Sequence, residues 1–405
     1  MNRFGRATSV ALLATLSVAT GAYAQKSYGP GVTDTEIKIG NIYAYSGPAS
    51  AYGIIGKTEA AYFKMINEKG GINGRKIDFV TYDDAYSPPK TVEQARKLVE
   101  SDNVLLVFNP LGTPPNTAIQ KYLNDRKVPQ LFVATGATKW NDPKRFPWTM
   151  GWQPSYQAEG QIYAQYVLKN KPNAKLAILY QNDDYGKDYL KGMLDGLGDK
   201  LKPHIVLTYE VTDPTIDSQM ARLAASGADT FYNVTTPKFA AQAIKKAAEL
   251  NWKPLHLLNS VSASVGATLK PAGFENSQGI ISTAYLKDPT DPTWKDDAGY
   301  KNWLAFIDKH MPDADKTNAL LVYGYTVSQT MVEVLRRCGD NLTRENVMRQ
   351  AASLSDLSHD MLLPGIKINT SAERFAPINQ ERLQVFKGDR WELFGDLFTA
   401  ANVSH

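Results

Sequence analysis

Two serine motifs come nearest, by residue type and spacing, to covalent chemistry in this 405-residue chain. Ser87-Pro-Pro-Lys90 matches S-x-x-K and Ser101-Asp-Asn103 matches S-D-N, pieces with which a penicillin-recognising serine enzyme makes and breaks an acyl ester. Pro88 and Pro89 distort the first motif, and no K-T-G element follows the second. Ser87 therefore reads as a helix N-cap and Asp102-Asn103 as a turn. The five histidines, His204, His256, His310, His359 and His405, are too dispersed for a metal site, so no metal or cofactor is expected. Cys338, the one cysteine, ends a helix-like run before Gly339 and reads as an inert, half-buried thiol. Gly196-Leu-Gly198 has Leu201 where a dinucleotide fingerprint needs its third glycine. With no nucleophile and base brought together, the chemistry expected is capture, not turnover.

The elements that must position such a site are legible as patterns. Arg3 and Arg6, the apolar stretch Val10 to Ala19 and Ala22-Tyr23-Ala24 make a secretory signal peptide over residues 1–24, so export to the periplasm is expected. Lys and Arg total 45 against 41 for Asp and Glu, too even a balance for a nucleic-acid surface. From Ile37 to Val133, short β-branched or aromatic runs alternate with helical patterns, and the rhythm restarts beyond residue 150, through strands such as Lys175 to Tyr180, Ile205 to Tyr209, Thr230 to Val234 and His256 to Leu258. That predicts an α/β protein of two Rossmann-like, doubly wound parallel-sheet lobes. The last portion adds helices around Lys301 to Lys309, Leu320 to Arg336 and Arg344 to Ser353, then strand-like Gly365 to Ile368 and Arg382 to Phe386. The expected division is 25–148 plus 286–358 for the first lobe and 149–285 plus 359–405 for the second.

In open parallel sheets, ligands sit beyond the carboxyl ends of the strands, where helix N-termini offer free N–H groups. The loops to watch are Ser46 to Tyr52, Pro110 to Thr113 and Ala134 to Ala137 in the first lobe. In the second they are Asp183 to Tyr185, Asn233 to Thr236 and Asn259 to Ser262. Small hydroxyls, glycine and tyrosine dominate them.

Five segments in order carry a resemblance: Ile37-Lys-Ile-Gly, Ser46-Gly-Pro-Ala-Ser-Ala-Tyr-Gly53, Ile66-Asn-Glu-Lys-Gly-Gly-Ile-Asn-Gly74, Tyr82-Asp-Asp84 and Asp183-Asp-Tyr-Gly186. Together they resemble the leucine/isoleucine/valine-binding family of periplasmic solute-binding proteins. The resemblance implies a type I periplasmic binding fold, two lobes joined by three crossovers, and a monomer that delivers ligand to an inner-membrane ABC permease. Output to a sensor or chemoreceptor stays open. It also implies that Leu111, Gly112 and Thr113 with Ala134, Thr135 and Gly136 hold a ligand carboxylate, and that Tyr52 and Tyr185 close over its side chain. Trp152 and Tyr156 flank the first crossover, and Ser46, Asn233, Thr235, Thr236 and Ser260 complete the candidate set.

The departures bear on the ligand. Amino-acid-binding relatives offer an acid to the α-ammonium from the loop that here reads Asn259-Ser-Val-Ser262, which has none. A desolvated ammonium without a counter-charge is costly. The expected ligand is therefore a small apolar or aromatic monocarboxylate, its charge on backbone N–H groups at Gly112 and Thr113, with a hydrophobic amino acid as the alternative. Under that alternative Asp183 or Asp184 meets the ammonium.

Overall fold

The computed structural model of the chain describes residues 26–400, so the expected signal peptide lies outside the described residues. The first lobe is built on five parallel strands in the spatial order Lys76–Asp83, Glu36–Tyr43, Leu106–Phe108, Gln130–Val133, Thr149–Gly151. The second has Ile205–Tyr209, Leu176–Gln181, Thr230–Val234, Leu255–Leu258 and Ile281–Ala284 in parallel, followed by Gln380–Lys387 and Arg390–Thr399, which are antiparallel. In both lobes the second strand lies outside the first and the third on its other side. The chain order therefore reverses beside Glu36–Tyr43 and beside Leu176–Gln181, the points where doubly wound sheets open a crevice.

Three features differ from the sequence reading. Thr149–Gly151 belongs to the first sheet, with Thr149 opposite Gln130, so that lobe extends past residue 148. Gly365 to Ile368 is not a strand: Ile368 makes only an isolated bridge to Leu357, and Leu363, Ile366, Ile368, Phe375 and Ile378 are buried in the first lobe's core. The final hairpin makes the second sheet mixed. The chain passes between lobes three times, after Gly151, after Ala284 and before Gln380.

Strand burial explains the long apolar runs. Residues 104 to 108 are fully enclosed, as expected for strands covered by helices on both faces. Helix Asp184–Leu197 starts where Asp183 Oδ1 accepts the Tyr185 and Gly186 N–H groups at 3.0 and 3.2 Å. This helix lies against Tyr156–Asn170 so closely that glycine is required. A Cβ on Gly192 would stand 2.2 Å from Gln157 O, and one on Gly160 would stand 2.7 Å from Met193 N and Tyr189 O. These obstacles are backbone, which cannot swing aside.

Replacing Gly192 with Ala gains about 1 kcal/mol of helix propensity. It also forces the two helices apart, an overpacking cost of about 1–3 kcal/mol and more where backbone must move. Steric cost wins, so Gly192→Ala should lower the denaturant midpoint; an unchanged or raised midpoint would show that the helix pair has slack.

Candidate functional site

The first-lobe crevice is shaped by residues held in left-handed backbone: Ala85 (φ 51°), Tyr86 (φ 61°), Asn109 (φ 48°) and Gly112 (φ 92°). Tyr86 N–H donates to Asp84 Oδ1 at 2.8 Å, which fixes the turn. Its ring then fills the space beside Gly112, where a Cβ would stand 2.3 Å from Tyr86 Cε2. Asn109 accepts from Tyr43 OH at 2.6 Å and donates to Tyr323 OH at 3.1 Å, so the Tyr323 ring is fixed by the end of a strand far away in sequence.

Between the lobes lies a cavity of about 120 Å³. Of the expected residues, Tyr52, Leu111, Gly112, Thr113, Ala134, Tyr156, Tyr185, Thr236 and Ser260 line it. The lobes meet across it: Tyr52 OH donates to Val261 O at 3.1 Å, and Asp188 of the second lobe accepts from Thr138 N–H and Oγ1 at 2.9 Å each. Among the wall residues that sequence reasoning missed are Tyr86, Gln153, Tyr285, Tyr323, Lys287 and Asp288. Lys287 and Asp288 lie on a crossover, not in a strand-to-helix loop, and so escaped a search confined to such loops.

Six expected residues stand elsewhere. Ser46 is exposed and its Oγ donates to Asp83 Oδ2 at 2.5 Å, bracing the turn. Trp152 is a packing residue behind the wall, its Nε1 donating to Thr330 Oγ1 at 3.0 Å and its ring edge-on to Tyr285 and Tyr323. Asn233 is fully buried on strand Thr230–Val234, outside the lining, with its amide 3.1 Å from the ring nitrogen of His256, which burial keeps neutral with a pKa pushed down to about 3. Thr235 Oγ1 donates to Asn233 Oδ1 at 2.6 Å. Thr135 and Gly136 face a neighbouring cavity of about 370 Å³.

Anion capture is also leaner than expected. Gly112 N–H donates to Ala134 O at 3.2 Å and Thr135 N–H to Val133 O at 2.9 Å, while Gly136 N–H faces the Tyr156 phenol oxygen. Pro114 and Pro115 remove two further donors from the start of helix Thr113–Asp125. Thr113 remains: its N–H opens the helix, and its Oγ1 lies 2.6 Å from Thr135 Oγ1. Neither acid expected to meet an ammonium lines the cavity: Asp183 caps its helix, and exposed Asp184 pairs with half-buried Lys139 at 2.8 Å. Asp288, half-buried and with its pKa pushed up to about 6 by burial, is the acid that lines the cavity.

The second-lobe wall is held from behind by a buried carboxylate. Glu159 Oε1 accepts from Ser260 N–H at 2.7 Å and Tyr163 OH at 2.8 Å; its Oε2 accepts from Ser260 Oγ and Tyr189 OH, each at 2.7 Å. Burial raises its pKa against the pull of these four donors. Tyr163 OH also accepts Thr283 N–H at 3.1 Å, and Thr283 Oγ1 donates to Glu381 at 2.7 Å. Ser260 and Thr283, both on the wall, are thereby fixed by one network.

Tyr185 is both wall and core, 3 % exposed, with its ring edge-on to Tyr156 and Tyr189. Truncating it to Ala should therefore lower stability.

Removing the Glu159 carboxylate strands several buried donors, at about 1–3 kcal/mol each. Gln at that position still accepts from Ser260 N–H and Tyr163 OH, and the Ser260 and Tyr189 hydroxyls turn to accept from its amide. Thermal unfolding should therefore show Glu159→Ala far below wild type and Glu159→Gln near it; equal losses would refute this account of the network.

Comparison with known proteins places this geometry. Residues 36–388 match the family described as periplasmic binding protein. Leu/Ile/Val-binding protein homolog 1 of Brucella abortus (strain 2308) is 24% identical over 364 residues, 87% of this chain and 91% of that one. Two solved structures share the fold. One is a branched chain amino acid ABC transporter from Thermus thermophilus with bound valine, with a TM-score of 0.82, 17% identity, and coverage of 91% of this chain and 98% of that one. The other is a fatty acid ABC transporter substrate-binding protein from Thermomonospora curvata, with a TM-score of 0.76, 21% identity, and coverage of 93% and 95%.

Proposed function

We propose a function that proceeds from one premise: this chain belongs to the periplasmic binding protein family. It captures a small apolar or aromatic carboxylate in the interlobe cavity and presents it, in the periplasm, to an inner-membrane ABC permease. One observation carries the ligand class. Six tyrosines, Tyr52, Tyr86, Tyr156, Tyr185, Tyr285 and Tyr323, join Leu111, Val261 and Leu320 around the cavity of about 120 Å³. A dry cavity of about 150 Å³ accommodates benzene, so the space suits one ring or one branched side chain. The Thr113 N–H and hydroxyl offer the carboxylate a partner at a helix start.

A branched-chain amino acid is the second reading. Its support is the Leu/Ile/Val-binding name of the Brucella relative, the valine in the Thermus structure, and an acid, Asp288, at the cavity.

Calorimetric titration of hydroxybenzoate- and cinnamate-type acids against leucine, isoleucine and valine decides between the two. The first reading expects an aromatic acid to bind more tightly; a branched-chain amino acid at least about tenfold tighter (about 1.4 kcal/mol) would replace it with the second. In either case the ligand touches both lobes, so saturation should compact the molecule in solution scattering. An unchanged radius of gyration at calorimetrically verified saturation would count against a hinged receptor.

A further inference from the structure

We propose that Asp288 sets the specificity of the cleft: the captured solute carries a hydrogen-bond donor, an ammonium or a hydroxyl, that Asp288 Oδ2 receives. The inference rests on the reading of the cavity as a small-solute site and adds to it the polar group the solute must bring. Asp288 lies on the second passage between lobes, between strand Ile281–Ala284 and helix Ala298–His310, and lines the cavity. Its Oδ1 accepts from Thr290 N–H at 2.9 Å and Thr290 Oγ1 at 2.5 Å, which leaves Oδ2 without a donor among the described residues.

The adjacent cation does not serve it. Lys287 Nζ donates to Asp297 Oδ1 at 2.6 Å and to Asp360 O at 2.7 Å, and lies 5.5 Å from the centre of the Trp294 ring. The other groups facing Asp288 are Asp291, whose charge opposes its ionisation, and Tyr300, whose hydroxyl donates to Pro289 O at 3.4 Å. The remaining wall is tyrosine, aliphatic, glycine and small hydroxyl residues with two amides, of which Gln384 donates to Thr283 O at 3.1 Å and Gln153 reaches the Tyr156 hydroxyl at 3.5 Å. A carboxylate at such a surface is poorly solvated, and a donor on the ligand offsets that cost. In a mostly apolar pocket a few placed polar groups fix a ligand's orientation, and Asp288 is the one among them that carries a negative charge.

The sign of the pH dependence follows. The ionised carboxylate is the form that receives the donor, so affinity is full above the free-state pKa of about 6 and falls as pH drops through it. Between about pH 7.5 and about pH 5 the loss is about tenfold.

The test titrates matched ligands into the exported chain: leucine against 4-methylpentanoate, and 4-hydroxybenzoate against benzoate, with wild type and Asp288→Asn at both pH values. Asn retains the oxygen that accepts from Thr290, so the turn survives. We expect wild type to favour the donor-bearing member of one pair by at least about tenfold, and the pair that responds identifies ammonium or hydroxyl. The preference should shrink at the lower pH and vanish in Asp288→Asn, whose affinity should not vary with pH. Equal affinities within both pairs, or a variant that keeps the wild-type preference and pH profile, would overturn the proposal. Binding of none of the four acids would instead overturn the reading of the cavity on which it rests.

Discussion

The close contact of helices Tyr156–Asn170 and Asp184–Leu197 is the constraint on which the second lobe's half of the cleft depends. Gly160, Gly192 and Gly196 bring the helix backbones together, and each helix carries a tyrosine of the cavity wall in its first turn. Tyr156 and Tyr185 meet edge-on at 5.5 Å between ring centres because their helices have no freedom to slide. Asp188 extends the same rigidity across the cleft, joining Gln157 of one helix to Thr138 of the other lobe. Placing aromatic walls on rigid helices makes a pocket of defined size, which loops alone do not.

Polar groups around the cavity are nearly all committed. Apart from the Thr113 N–H, main-chain donors at Leu111, Gly112, Ala134 and Thr135 are used internally, the phenol of Tyr209 receives the Thr236 N–H at 3.1 Å, and Glu159 gathers four donors behind Ser260. The wall is consequently apolar in character although it is rich in oxygen and nitrogen. Discrimination falls to the few groups left over, which is the usual economy of a small-molecule pocket.

Much of this architecture was legible in the sequence. The strand at Glu36–Tyr43 and the helix Ala319–Cys338 follow from period and from the glycines that end their neighbours. Residue 365 to 368 misled because alternating apolar residues suit a strand and an irregular buried segment equally, and only tertiary packing separates them. Trp152 and Tyr185 looked alike as loop-end aromatics; one fell behind the wall, bonded to Thr330, and the other upon it, packed on Tyr189. The donors lost at Gly112 and Gly136 were invisible because a loop's N–H groups carry no mark of their eventual partners. The Pro114-Pro115 pair was the available signal, since two prolines at a helix start remove two anion-binding groups outright.

The order in which the chain supplies its parts has a consequence for assembly. The strand Ile281–Ala284 waits about a hundred residues for Gln380–Lys387 to cover its edge, and Ser27–Tyr28, near the beginning, pairs with Asn341–Leu342. Helix Ala319–Cys338, which packs on Gly53–Glu68, also arrives late. Neither lobe can finish while the ribosome still holds the last fifth of the polypeptide. Such high contact order slows folding and leaves sheet edges unpaired in the interim. A slow-closing polypeptide of this kind remains threadable for longer after synthesis.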